Sequence, residues 1–365
     1  MSISNNSQMI NSQAAEQEAD MRLSPLLTVR PEIAGQQSDT VVISDAWNRR
    51  RVRVKRQALL NLVTQELRLH PERTSLGARL QASFPGGRAL DRVSTEHILH
   101  WLARGWHPSL EYYLWSRDAA YVDTSDPDGR QRRELLQQYL AQSSLPPRLE
   151  PAGKHISLPE PLPLPASVSL GQLLMERKTF RHYLPERIRV STLSSVLWFG
   201  LDEVRRVRQR AFEEDALNYF RSYGSAFDFY VVAYTVEGLS PGVYFYHLEK
   251  HHLVQIREGV YSKEMSHNLQ NLAAPHTANW TLIFVADFAQ YQWRYRHERA
   301  LRNIYLESGR LGQRLLMAGM IHRLGTLPTP ASRDKDVSEL LCLDPVRQAP
   351  IYTLTMGPYR RSENE

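Results

Sequence analysis

Three short strings in the C-terminal half hold the residue types that bind anions, seat flat ligands and handle protons. The first, Arg177-Lys178-Thr179-Phe180-Arg181, sets two guanidiniums four residues apart with a hydroxyl between them. Side chains so spaced can converge on one phosphate, offering two forked donors and an O–H. A solvated basic turn has the same composition. The second, Arg221-Ser222-Tyr223-Gly224-Ser225-Ala226, runs straight into the apolar stretch from Phe227 to Val236. Small residues ahead of a buried strand let backbone amides approach a planar ligand, and equally let a tight turn enter the strand. The third runs from Trp293 through Arg294, Tyr295, Arg296, His297 and Arg299 to Arg302, and continues into Leu306-Glu307-Ser308-Gly309. Gly309 falls inside a helical pattern, where glycine costs roughly 1 kcal/mol relative to alanine. A close neighbour is expected there, with plain packing as the alternative.

The elements that must hold these strings are mixed. Residues 227–236, 242–248, 252–258, 281–288 and 350–356 are five strand candidates rich in Tyr, Val, Ile and Phe. Residues 169–179 and 191–200 read as short helices. Residues 300–325 read as one long helix, with Leu301, Ile304, Leu311, Leu315 and Ala318 on a continuous apolar stripe. Helices, then hairpin strands, then a long helix and a last strand make an α+β domain over 169–360, rather than alternating βαβ units. Ahead of it, residues 126–168 read as a helix and a proline-rich linker, in which 143–167 should be extended, semi-rigid chain. Residues 1–38 are polar and aperiodic and are expected to be disordered. Residues 39–125 form a compact region: a two-stranded unit over 40–56 with Asp45 and Asn48 near its turn, then a helix over 57–67. A further helix follows, capped by Ser94, with Ile98, Leu99 and Leu102 inward and Gly105 at its end. That order is the pattern of a small winged-helix-like, peptide-binding module.

Composition narrows the function classes. An apolar fraction of 42 % and a charged fraction of 23 % are those of an ordinary globular chain, and 365 residues suggest two domains. No run of about 18 apolar residues is present, which argues against a membrane-spanning helix. The first twenty residues lack the features of a secretory signal. A single cysteine, Cys342, leaves no internal disulfide and fits a reducing cytoplasm. The net charge of +6 is concentrated at Arg49, Arg50, Arg51, Arg53, Lys55 and Arg56 and again at Arg205, Arg206, Arg208 and Arg210. The first cluster alternates with Val52 and Val54, as an amphipathic strand with a solvated face would; contact with an acidic peptide is the alternative. Neither cluster has the recognition helix of a nucleic-acid reader. His247, His251 and His252 lack metal-ligand spacing, and glycine-rich dinucleotide and P-loop motifs are absent.

In order and spacing, the three strings resemble the SagB-type dehydrogenases of the FMN-dependent nitroreductase superfamily, enzymes of thiazole- and oxazole-forming peptide modification. Arg177, Thr179 and Arg181 match the opening R-x-[ST]-x-R. Ser222, Gly224, Ser225, Ala226 and Tyr230 match the flavin loop loosely. Gly242, Val243, Tyr244 and Tyr246 match a following strand, and Arg299, Arg302, Leu306, Glu307, Gly309 and Gln313 match the R-x-x-R…L-E-x-G-H-x-x-Q helix. The similarity covers about residues 168–358. Two departures stand out. The family's Lys-Tyr pair is replaced by Tyr295-Arg296 or, shifted by one, Arg294-Tyr295, and the His of the helix motif is Arg310. An arginine is a poor proton acceptor near neutrality.

The resemblance implies a mainly antiparallel sheet flanked by helices, a homodimer with FMN at its interface, and dehydrogenation of an azoline in a ribosomally made peptide. FMN would be held by Arg177, Thr179, Arg181, Ser222, Tyr223, Gly224, Ser225, Gln313, Gly325 and Arg333, with no metal. Tyr295 is the first catalytic candidate, followed by Arg294 and Tyr291. The expected partners are the peptide substrate, with leader recognition by the N-terminal module, and a cyclodehydratase. FMN-dependent oxidation of another peptide- or amino-acid-derived intermediate is the alternative, as is a flavin-fold subunit that binds peptide without turnover.

Overall fold

A computed structural model describes residues 27–31, 39–46, 50–60, 92–117, 128–165, 168–213 and 224–360. The chain divides into two compact units, Met1–Ala120 and Tyr121–Glu365. In the first unit, β1 (Leu27–Pro31), β2 (Thr40–Asp45) and β3 (Arg50–Lys55) form an antiparallel sheet in that order. The expected pairing of β2 with β3 is present. Strand β1 comes from the stretch expected to be disordered; the other residues of 1–38 lie outside the described residues. Helices α1 (Arg92–Ala103) and α2 (His107–Ser116) follow, and Ile98, Leu110 and Leu114 close a small core with Ala46. Gly105 ends the α1 turn at φ +74°, as its position suggests. Two details differ. Helix α1 begins two residues before Ser94, which is therefore no cap. Leu99 is 53 % exposed, because the 3.6-residue period aligns Ile98 with Leu102 and turns Leu99 aside. Of the helix expected over 57–67, a turn at 56–60 is described and the rest lies outside the described residues.

The second unit is an α+β sandwich around a seven-stranded sheet of order β11-β12-β10-β6-β8-β9-β4, antiparallel throughout. Its strands are β4 (Lys154–Ser157), β6 (Phe227–Ala233), β8 (Gly242–His247), β9 (His252–Glu258), β10 (Trp280–Asp287), β11 (Leu324–Thr329) and β12 (Gln348–Pro358), with a separate parallel pair of β5 (Ile188–Arg189) and β7 (Val236–Glu237). The central strands are mostly apolar and buried along their whole length because both faces are covered. Phe227, Phe229 and Val231 pack on one side with Leu193 and Leu197 of α5 (Val190–Gly200), Val204 of α6 (Asp202–Glu213), and Ile304, Leu311 and Leu315 of α10 (Ala300–Ile321). Tyr230 and Val232 pack on the other with Met265 of α7 (Ser262–Asn268), Ala274 of α8 (Ala274–Thr277), and Val337 and Leu341 of α11 (Asp334–Leu341). The remaining helices are α3 (Arg130–Gln142), α4 (Leu170–Glu176) and α9 (Phe288–Arg294). Among the described residues no helix is long and apolar enough to cross a membrane.

All five expected strands form, and two more join them. The long helix stops at Ile321; Arg323 takes a left-handed turn at φ +59° and the chain re-enters the sheet as β11. The proline-rich segment is extended but does not act as a spacer: it contributes β4 at the sheet edge and is stitched along its length. Arg148 pairs with Asp228 at 2.7 Å, and Arg347 donates to the Pro147 carbonyl. Ser194 Oγ donates to the Pro159 carbonyl at 2.6 Å, and the Leu162 amide donates to Ser195 Oγ at 2.8 Å. His251 backs this seam, with its two ring nitrogens 2.8 Å from Ser194 Oγ and 2.7 Å from the Tyr246 hydroxyl.

Burial, with the charge of Arg205 adding to it, pushes the His251 pKa down from its usual 6.5 to about 4. The folded state therefore favours neutral His251, and the stability this contributes is complete above pH 6.5 and drains away as the pH falls toward 4. Replacing His251 with Gln should flatten the loss of urea stability between pH 6.5 and 4 relative to the wild type. An unchanged acid limb would mean that His251 does not bear on it.

Candidate functional site

The string at 177–181 leaves α4 as extended chain. Thr179 bridges Thr326 of β11 in parallel, and the Phe180 amide donates to the Thr326 carbonyl at 3.0 Å. Phe180 lies over Gly325, where a Cβ would stand 2.8 Å from its Cγ, and stacks on Tyr359 with centroids 4.1 Å apart. Gly325, expected at the cofactor, thus makes room for the string. Arg177 is half-buried and Arg181 exposed, and among the described residues neither guanidinium forms a hydrogen bond or an ion pair. Arg177 is close enough to Tyr352 to oppose the upward pull of burial on that phenol. Two guanidiniums and a hydroxyl so grouped have the donor chemistry that an anion such as phosphate requires.

Ser222 and Tyr223 of the second string lie outside the described residues. Gly224 has φ +80° and donates its amide to Glu307 Oε2 at 2.8 Å. A Cβ there would stand 2.4 Å from Leu311 Cδ1, so its smallness serves the approach of α10. The buried Ser225 gives its carbonyl to Arg148 and Arg208. Gln313 is half-buried on α10, with no hydrogen-bond partner among the described residues, on the stripe that also holds Tyr305, Leu306 and Gly309. Among the described residues the close neighbour expected at Gly309 is not found: a Cβ would meet none of them within 4 Å. The crowded glycine of this helix is Gly312, 2.6 Å from Tyr352. Arg333 caps α11 and donates Nε to the His267 carbonyl at 3.0 Å.

The catalytic candidates collect at the other end. Asp287 caps α9 by accepting from the Gln290 amide, and the helix presents Tyr291 and Arg294, both buried, with Tyr295 just beyond. The Tyr291 and Tyr295 rings lie 4.8 Å apart, Arg294 sits 5.7 Å from the Tyr295 centroid, and His297 meets that ring edge-on at 6.3 Å. Burial holds the His297 pKa below its usual value. Arg132 of α3 joins them, donating Nη2 to Tyr295 Oη at 3.3 Å. Arg296 turns away, stacked 3.6 Å over Tyr139. Arg132 carried no signal in the sequence, since Tyr295 lies 163 residues away, and Glu307, visible in the helix motif, finds its partner Gly224 83 residues away. From its start beside His297, α10 rises about 18 Å to Gly312, against Tyr352, and about 28 Å to Gly319, against Thr326. Among the described residues no cluster of His, Cys, Asp or Glu could hold a metal ion.

The nitroreductase family model matches residues 174–358, from α4 through β12. The chain belongs to the nitroreductase family. Members of this family generally use a flavin. This nitroreductase is 28 % identical over 266 residues to trifolitoxin operon protein TfxC of Rhizobium leguminosarum bv. trifolii, covering 70 % of this chain and 73 % of that protein. A solved structure from Anabaena variabilis, titled a nitroreductase, aligns at 23 % identity and TM-score 0.45 over 62 % of this chain; the chain spans 47 % of it, about half its length. The Escherichia coli microcin synthetase McbBCD complex with truncated pro-MccB17 bound aligns at 13 % identity and TM-score 0.40, over 67 % of this chain and 100 % of that chain.

The seat of the 177–181 string in the nitroreductase can be tested through Gly325. Gly325→Ala should cost about 1–3 kcal/mol by overpacking against Phe180, and Phe180→Ala in the same background should recover part of it. Wild-type urea stability in Gly325→Ala would show that the string is not seated on β11.

Proposed function

We propose that this nitroreductase binds FMN and dehydrogenates an azoline ring of a ribosomally made peptide to the azole. The observation that carries the flavin assignment is the pair of guanidiniums, Arg177 and Arg181, set with Thr179 along β11 and, among the described residues, in no hydrogen bond or ion pair. The residues present fit a phosphate there. Open space beside Gly309 and the half-buried Gln313 amide offer room and hydrogen bonding along α10. Ser222, Tyr223, Gly224, Ser225 and Arg333 complete the proposed cofactor set. Kinship with a trifolitoxin operon protein supports a peptide-derived substrate.

Removing two hydrogens from an azoline takes one as a proton and one as a hydride. Bound FMN supplies the hydride acceptor. The chain handles the proton at Tyr295 Oη, with Arg132 and Arg294 placing positive charge beside it and Tyr291 bracing the ring. Arg310, where the family has His, is held in an ion pair with Glu203. That loss, with the missing Lys-Tyr pair, favours a second assignment in which another peptide- or amino-acid-derived intermediate is oxidised on the same flavin. In a third, the fold binds peptide without turnover.

A second copy of the chain is the proposed cover for an apolar face. Leu170, Leu174 and Met175 of α4 are exposed, as are Tyr305 and Leu306 of α10 beside Gly309. Burying such a face between subunits is the usual outcome for apolar helix stripes. The first unit suits leader recognition: β3 is a sheet edge with Arg51, Arg53 and Lys55 exposed, where a peptide strand rich in acidic residues can add. A cyclodehydratase that forms the ring is the partner such a reaction requires.

Purified protein should carry about one FMN per chain. Arg177→Ala or Arg181→Ala should weaken FMN binding 10- to 100-fold, roughly 1.5–3 kcal/mol for one charge-assisted phosphate contact. A colourless protein that takes up no flavin on titration would defeat the assignment. Light scattering should give twice the 42.2 kDa chain mass; a monomer that still holds FMN would contradict the dimer.

A further inference from the structure

The geometry points to Arg132 as a positioning residue for Tyr295, supplied by a helix outside the family-matched span. This rests on the assignment of Tyr295 as the proton-handling group. Helix α3 ends 32 residues before the match begins at 174. It nonetheless lies against α9 and the turn beyond it through five contacts, made by Trp293 and Arg296. Tyr139 meets Trp293 edge-on at 6.4 Å, and Leu136 is buried with Trp293. Trp293 Nε1 donates to the Ser143 carbonyl at 3.4 Å. Arg296 stacks on Tyr139 and donates to Gln142 Oε1 at 3.1 Å.

These contacts fix the helix, and Arg132, one turn from Leu136, falls on the same side. Its Nη2 donates to Tyr295 Oη at 3.3 Å, and its Cζ stands 5.9 Å from the ring centroid. Tyr295 follows the last residue of α9 at φ −112°, ψ 84°, outside helical geometry, so the helix ladder does not fix its side chain. Contacts to the ring and to the hydroxyl therefore set where Oη points. The rings of Tyr291 and His297 and the Arg294 guanidinium surround the ring, while Arg132 donates a hydrogen bond to the hydroxyl itself. A guanidinium fork fixes direction as well as distance, which a point charge does less well. Arg132 thus holds the phenolic oxygen in one place while the anchors through Trp293 and Arg296 hold α3.

The test uses the full-length protein with 3-fluorotyrosine at position 295, read by fluorine NMR, beside turnover of a synthetic peptide carrying one thiazoline. Arg132→Ala should move the fluorine resonance toward that of free 3-fluorotyrosine, Arg132→Lys should return it part of the way, and Arg133→Ala on the exposed side should leave it in place. Arg132→Ala should slow turnover roughly 10- to 100-fold with KM and FMN affinity unchanged, and should add nothing to Tyr295→Phe. A resonance that ignores Arg132→Ala overturns the positioning role whatever the reaction is. Wild-type kcat in Arg132→Ala with a slow Tyr295→Phe overturns it too, and leaves Tyr295 in its role. Wild-type kcat in Tyr295→Phe, or no turnover of the peptide by the wild type, instead removes the assignment on which the inference rests.

Discussion

Helix α10 lies on its neighbours at distances that only glycine permits. A Cβ on Gly224 would stand 2.4 Å from Leu311, one on Gly200 2.5 Å from Leu315, one on Gly312 2.6 Å from Tyr352, and one on Gly319 3.1 Å from Thr326. The four contacts are spread along the helix and reach a loop, a second helix and two strands. The close approach fixes α10 in height and rotation at once, because a packed interior leaves no slack for sliding. The site follows from that placement. Tyr352 is held against Gly312 with Arg177 nearby, Thr326 against Gly319 with Thr179 bridged to it, and Glu307 is set where it takes the Gly224 amide.

At the far end of the sheet the constraint is charge. Asp228 of β6 is fully buried; burial pushes its carboxyl pKa up, and Arg148 and Arg208 pull against that rise. Asp287 at the end of β10 is buried with Arg347 at 2.8 Å. Taking such groups out of water costs several kcal/mol each unless partners meet them in good geometry. The partners come from distant parts of the chain: Arg148 from the proline-rich segment, Arg208 from α6, Arg347 from the approach to β12. The carboxylates therefore select one arrangement of these segments, and the proline-rich segment is held to the sheet as firmly as a strand.

Long periodic elements were legible in the sequence because their own residues decide them. The stripe from Ile304 to Ala318 is a helix in any apolar surroundings, and the Tyr-, Val- and Phe-rich runs are strands wherever both faces are covered. Strands β4 and β11 are different. Lys-His-Ile-Ser is four residues with little β preference, and Leu-Gly-Thr-Leu-Pro-Thr carries two residues that weaken strands; each extends because a sheet edge offers it a ladder. Gly309 misled for a related reason: its cost within the helix is visible in sequence, but what lies beside it is not, and it is Gly312 that meets a ring. The spacing of Arg177, Thr179 and Arg181 was visible in the sequence. That neither guanidinium is paired among the described residues, and that Phe180 on Gly325 seats the string, depends on pairing across some 150 residues.

The two ends of the site depend on different kinds of constraint. At the Arg177 end, backbone pairing and glycine contacts within residues 174–358, the span that the family model matches, seat the 177–181 string. At the Tyr295 end, side chains from α3 complete the surroundings, and α3 lies before that span. Tyr295, one position of the altered Lys-Tyr pair, thus takes a contact from chain that the family model does not match, whereas Arg310 is engaged with Glu203 of α6. The contacts that surround Tyr295 therefore begin before the family-matched span. A boundary drawn after the proline-rich segment, near residue 168, would remove β4, the Arg148 clasp and Arg132 together, and would strip the sheet of an edge strand, Asp228 of a buried partner and Tyr295 of its hydrogen bond from α3.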